Sequence, residues 1–134
     1  MCNYFKMVLV LIGVCMIFGG CTPKNTIEIV AKESFYSNYI IEGDKVYIEC
    51  KLMIKNVIGN DVAIELFADF KDDVEAGLLK EAQLKGFQED RETSEFILSQ
   101  GTKRIVVVFI GDFAGTNQKH DRNLPIITIN QQDE

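Results

Sequence analysis

Between residues 46 and 54 the chain reads VYIECKLMI, in which a small or branched apolar residue recurs at every second position. Val46, Ile48, Cys50, Leu52 and Ile54 fall on one parity, against Tyr47, Glu49, Lys51 and Met53 on the other. A repeat of two belongs to an extended strand, whose successive side chains point to opposite faces. Lys45 to Lys55 is therefore expected as a strand with one face turned to a core and Cys50 on that face. The repeat recurs in TIEIVAKES, where Ile27, Ile29 and Ala31 share a side, and again where Val62, Ile64, Leu66 and Ala68 do. The chain is expected to build sheet.

Punctuation between these segments supports the same reading. Glu42-Gly43-Asp44 marks a turn into the longest strand, and Gly59-Asn60-Asp61 marks a hairpin in which glycine or asparagine takes positive φ. Glu95 to Leu98, the turn Ser99 to Thr102 and the apolar run Arg104 to Ile110 form a further hairpin, its second member buried on both faces, and Pro125 to Asn130 forms a last strand. Residues 72 to 87 read as two short edge strands, with a short helix through Val74, Leu78 and Leu79 as the competing reading. Short strands roughly ten residues apart, with no sustained helix, predict an all-β domain, an antiparallel immunoglobulin-like β-sandwich of about seven strands. The expected core is Ile48, Leu52, Ile64, Leu66, Phe96, Leu98, Val106, Val108 and Ile127. The turn Lys55-Asn56-Val57-Ile58-Gly59 also resembles the K-N-x-x-G turn that separates two strands in small immunoglobulin-like domains of bacterial envelope lipoproteins. A likeness of strand pattern implies a fold and carries no functional residue across.

The N-terminus has a separate logic. Met7 to Phe18 is an apolar run of a dozen residues after the single Lys6, too short to cross a hydrocarbon layer that needs about 20. It has the length of a signal h-region and closes on Gly19-Gly20-Cys21, followed at once by polar Thr22 to Asn25. Phe18-Gly19-Gly20-Cys21 resembles the lipobox of bacterial prolipoproteins, in which an apolar residue and two small ones precede the lipid-bearing cysteine. The resemblance implies a signal peptide at 1–20, a tether at 21–25 and a domain at 26–134. It also implies a covalent diacylglycerol on the Cys21 thiol, an acyl chain such as palmitate on its amino group, and a place on the outer face of the cell membrane. An uncleaved short anchor and a cleaved soluble leader are the other readings of the same run. With Cys2 and Cys15 in the leader and Cys21 in the lipid, Cys50 stands alone and is expected as a buried thiol rather than half of a disulfide.

The formal charge is −6, and the sequence beyond residue 20 carries 13 basic against 20 acidic residues, a net −7. Its bases are interleaved with acids, as in Lys80-Glu81, so it lacks the clustered cations that nucleic acid or a polybasic membrane face would need. No partner of those kinds is expected.

Four features are candidates for chemistry or contact. Asp69, Asp72, Asp73 and Glu75 could offer oxygens to calcium, but Lys71 sits among them and the glycine of a calcium loop is missing, so a solvated acidic loop is expected, with no metal and no cofactor beyond the lipid. Phe109 and Phe113 stand with Gly111 and Gly115 at the end of a buried strand and are candidate ligand contacts, against the plainer reading of a strand bending into a loop. Lys119, His120 and Arg122 form the one local excess of bases, in a loop where recognition is commonly placed. Tyr36, Tyr39 and Tyr47 are interface candidates. No nucleophile, zinc or phosphate-loop motif occurs, and no catalytic residue is assigned. The expected function is a non-catalytic binding or structural module of the envelope with a protein partner. Alternatives are an accessory subunit of a larger membrane complex such as a transporter, and a hydrolase using Asp69 or Asp72.

Overall fold

A computed structural model describes residues 27–117 and 122–132. Its strands are β1 (Ile27–Ile29), β2 (Phe35–Glu42), β3 (Lys45–Asn56), β4 (Val62–Asp69), β5 (Gln83–Phe87), β6 (Phe96–Leu98), β7 (Gly101–Asp112) and β8 (Ile126–Gln131), with one short helix, α1 (Lys71–Glu75). All strand pairs are antiparallel. The lipobox residues through Cys21, together with Lys119 and His120, lie outside the described residues.

The alternation read in VYIECKLMI is borne out: Val46, Ile48, Cys50, Leu52 and Ile54 are all buried. Opposite β3 runs β7, paired without a slip from Lys45↔Asp112 to Asn56↔Gly101. Residues directly opposite share a face, so Ile48, Cys50 and Leu52 bring Phe109, Val107 and Ile105 inward with them. That corrects the expected core. Val106 is only half-buried, because Val106-Val107-Val108 has no alternation of its own and Phe109 and Ile105 set the parity instead. Val108 is buried, but on the other parity, where Phe87 of β5 pairs with it. Ile127 packs against the core without being closed off from solvent.

Three local expectations are also revised. The first strand stops at Ile29, and a 3-10 turn (Ala31–Glu33) follows. Ser34 fixes that turn: its hydroxyl donates to Val30 O at 2.9 Å and accepts the Met53 N–H at 2.9 Å. At the β3–β4 turn, neither Gly59 nor Asn60 takes positive φ. Buried Asn56 shapes it, accepting the Ile58 N–H at 2.8 Å and donating to Leu98 O at 3.0 Å, which also ties β3 to β6. Residues 72 to 87 divide, the first part entering α1 and the last forming β5. Asp69 accepts the Lys71 N–H at 3.1 Å and favours the helical turn there.

The strands form one continuous sheet that bends into a barrel-like shape. One layer holds β1, β2, β3 and β7; the other holds β4, β6 and β8. β5 joins them, pairing with β4 through Gln83 to Lys85 and with β7 through Gly86↔Phe109 and Phe87↔Val108. The bend needs glycine at position 86. A Cβ there would stand 2.6 Å from Val107 Cγ1 and 3.3 Å from the Leu66 carbonyl oxygen. The finding is an all-β antiparallel domain of eight described strands around one core.

Gly86→Ala should lower stability by about 1–3 kcal/mol through overpacking at the bend. Leu52→Ala, at a site with no exposed surface, should cost about 2–5 kcal/mol by opening a cavity. Denaturant titration of both variants checks the pair.

Candidate functional site

The most developed polar constellation lies beside the free end of each layer. Tyr36 and Tyr39 come from β2, Phe70 and Asp73 from the start of α1, and Arg122 from the lead into β8. Arg122 Nε donates to Asp73 Oδ1 at 2.5 Å, and the two side chains are only 7% and 5% exposed. The guanidinium carbon sits 4.4 Å from the centre of the Tyr39 ring and 6.0 Å from that of Tyr36. The Tyr39 hydroxyl donates to the Asn117 side-chain oxygen. Beneath, Tyr36 meets Phe70 edge-on at 6.3 Å and Phe70 meets Phe109 at 5.2 Å. A cleft of about 190 Å³ opens beside the ion pair, lined by Phe70, Asp72, Asp73, Arg122, Leu124 and Ile126 among others.

Local geometry explains why one aspartate of an acidic run turns inward. Phe70 and Asp73 are three residues apart, so on a helical turn they share a face, and Phe70 is buried. Asp73 follows it into the core and is neutralised there by Arg122. Burial works against the Arg122 charge, but the hydrogen bond and the charge of Asp73 outweigh it and raise the guanidinium pKa. Burial, with the charge of Asp73 adding to it, pushes the Cys50 thiol up to about 12, so it stays protonated and unreactive at neutral pH. Burial likewise pushes the Tyr36 hydroxyl well above its ordinary value, and among the described residues that oxygen has no hydrogen-bond partner.

The residues singled out in sequence separate here. Arg122, Tyr36 and Tyr39 come together. Phe109 is fully buried and reaches the cluster only through Phe70. Phe113 is half-buried just past the C-terminal end of β7, where it bridges to Leu79 and its N–H donates to Asp44 O. Tyr47 lies apart, with the Arg91 guanidinium 3.9 Å from its ring centre and Arg91 paired to Glu42 at 3.1 Å. The acidic residues diverge: Asp69 holds the Lys71 N–H and Asp73 holds Arg122. Among the described residues no group of three or more acidic, histidine or cysteine side chains converges on a point that could hold a metal. Asp73 stood in sequence as one acid among four; its spacing from Phe70 was the only available signal.

Chemically, the arrangement is a satisfied ion pair stacked on an aromatic face, with its nearest thiol protonated. Such a pair holds segments together and orients the loop that leads into β8. Breaking it should be costly: Asp73→Ala or Arg122→Ala removes one side of a buried pair and should cost about 3–5 kcal/mol, whereas the double change Asp73→Leu with Arg122→Met should recover most of that loss. Denaturant titration of the two singles and the double tests this. The raised thiol and phenol also set an alkaline limit. Below the unfolded value of 9.0 for Cys50 both states hold the proton; above it only the folded state does, so stability should fall as pH rises from about 9 toward 12. Tyr36→Phe should keep or raise stability at pH 7, since it removes an unpartnered buried hydroxyl, and should flatten that alkaline fall.

Compared with protein families, with curated proteins and with solved structures, the chain finds no match.

Proposed function

We propose that this chain is a lipoprotein anchored on the outer face of the cell membrane, acting as a non-catalytic binding or structural module of the cell envelope. The observation that carries the reading is the N-terminal sequence, an apolar run closed by Phe18-Gly19-Gly20-Cys21 and followed by polar residues. Two lipid chains anchor durably where one holds only marginally, so a diacylglyceryl cysteine is sufficient by itself. The acidic domain has no need of a basic face. The first described strand starts at Ile27, so only Thr22 to Thr26 separate the proposed anchor from the sheet. None of the described residues forms a helix long and apolar enough to cross a membrane.

The non-catalytic part rests on how the polar groups are used. Asp73 and Arg122 satisfy one another, and the Cys50 thiol is buried and protonated. The immunoglobulin-like layout belongs to the same proposal, supported by the two layers and by the Lys55-to-Gly59 turn between β3 and β4. A second reading, an accessory subunit of a larger membrane complex, is favoured by one observation. Ile97 and Ile126, both on strands of the second layer, are 54% and 75% exposed.

Cys21→Ser should abolish incorporation of labelled fatty acid and move the protein out of the membrane fraction or leave it uncleaved. Unchanged acyl labelling would overturn the lipid assignment. Mild cross-linking followed by affinity capture separates the two readings: a stoichiometric membrane complex supports the accessory subunit, and enrichment no greater than that of an unrelated lipoprotein excludes it.

A further inference from the structure

The sheet has several strand edges, and most of them are guarded. β1 and β6 have three residues each, too short to template another strand. β2 carries a bulge between Tyr36 and Asn38 and ends on Glu42. The part of β7 that lies beyond the β5 pairing carries Lys103 and Arg104. Short strands, bulges and charges are the devices by which proteins keep edges from pairing with other chains. β8 has none of them. It reads IITINQ over Ile126–Gln131, contains no proline, no bulge and no charge, and among the described residues is the only strand longer than three residues without a charged side chain.

The direction of its free backbone groups follows from one hydrogen bond. The Gln132 N–H donates to Ala63 O at 2.8 Å, so the opposed residues 132 and 63 form a hydrogen-bonded pair. Such pairs alternate along an antiparallel ladder, so Ile126, Thr128 and Asn130 spend their N–H and C=O groups on β4. Ile127, Ile129 and Gln131 turn theirs outward. Among the described residues no strand pairs with that side of β8. Ile126, Thr128, Asn130 and Gln131 are exposed, and Ile127 and Ile129 only half-buried.

We propose that β8 is a homotypic docking edge, at which a second copy of this chain adds its own β8 antiparallel about a twofold axis at Thr128. Three observations favour a second copy as occupant. Each copy carries a formal charge of −6, so two copies approach best through a neutral element, and β8 is neutral. A twofold at Thr128 sets Ile127 opposite Ile129 of the other copy on the inner face, extending the apolar layer that both already join. On the outer face it sets Thr128 opposite its own counterpart, a favourable cross-strand pair, and joins the outward N–H and C=O groups of residues 127 and 129. Ile126, the most exposed large apolar side chain among the described residues, comes to lie opposite Asn130 of the second copy. One short strand pair buries less than the roughly 1,200 Å² of a stable interface, so the contact is weak and reversible and is strengthened when copies are concentrated together. The inference does not depend on lipid at Cys21.

The test uses two differently tagged copies of the full-length chain expressed together, with a photo-cross-linking residue in place of Ile126. The expected result is a product of twice the chain mass carrying both tags. Its yield should fall about fivefold with Thr128→Lys in both copies, as like charges meet across the pair. It should return when one copy carries Thr128→Lys and the other Thr128→Glu, a recovery that misfolded variants could not give. The proposal is overturned if Ile126 labels only other proteins or nothing, if Thr128→Lys leaves the yield unchanged, if the opposite-charge pair fails to recover it, or if a cross-linker at Ile40 on β2 gives the doubly tagged product equally well.

Discussion

The pairing of β3 with β7 is the constraint on which the rest of the domain depends. Twelve residues of each strand run opposite one another without a bulge, from Lys45↔Asp112 to Asn56↔Gly101. Because partners across an antiparallel ladder share a face, this one register decides what is inside: with Cys50 and Leu52 of β3 facing the core, a slip of one residue would turn Val107 and Phe109 of β7 out to water. The ends of the ladder are fixed by different means. At one, Lys45 and Asp112 form an exposed ion pair whose hydrogen bond holds the aspartate below the usual carboxylate range. At the other, Asn56 is buried and bonded to both the following turn and β6. The exposed pair adds little, as surface ion pairs do, while the buried amide specifies where the chain must reverse.

From that ladder the sheet is carried around the core by β5 and brought to its two free ends, β2 and β8. Gly86 permits the bend by giving up a side chain where Val107 and the Leu66 carbonyl already stand. The Arg122–Asp73 pair links the free ends, since its guanidinium lies against Tyr39 of β2 while its partner belongs to the helix that follows β4. A buried pair of this kind is weak evidence of added stability but strong evidence of specification, because the Asp73 carboxylate without its cation would be an unmatched charge in the core. It fixes the path of the chain into β8, and so decides which side of that strand is left open.

Much of this was legible in sequence wherever one residue type alternated with another. β3 and β4 announced their buried faces, and Cys50 its place on one of them. Legibility failed where alternation was absent. Three consecutive valines in β7 could not state their own parity, which came from a partner strand half a chain away. Residues 72 to 87 mixed a five-residue helix with a five-residue strand, lengths at which periodicity decides nothing. Asp73 and Arg122 are 49 positions apart, so their pairing was invisible, although each was noticed among its neighbours. The free edge of β8 could be read only once its neighbour was known. The N-terminal signature was the reverse case, plain in sequence and outside the described residues.

The central functional claim is that the chain is held at the membrane through Cys21, and mass spectrometry of the intact protein purified from membranes tests it most directly. The account predicts a chain that begins at Cys21 and carries the mass of a diacylglyceryl group, with or without a further acyl chain. A protein that retains residues 1–20, or one that begins at or after Cys21 with no added lipid mass, would contradict it.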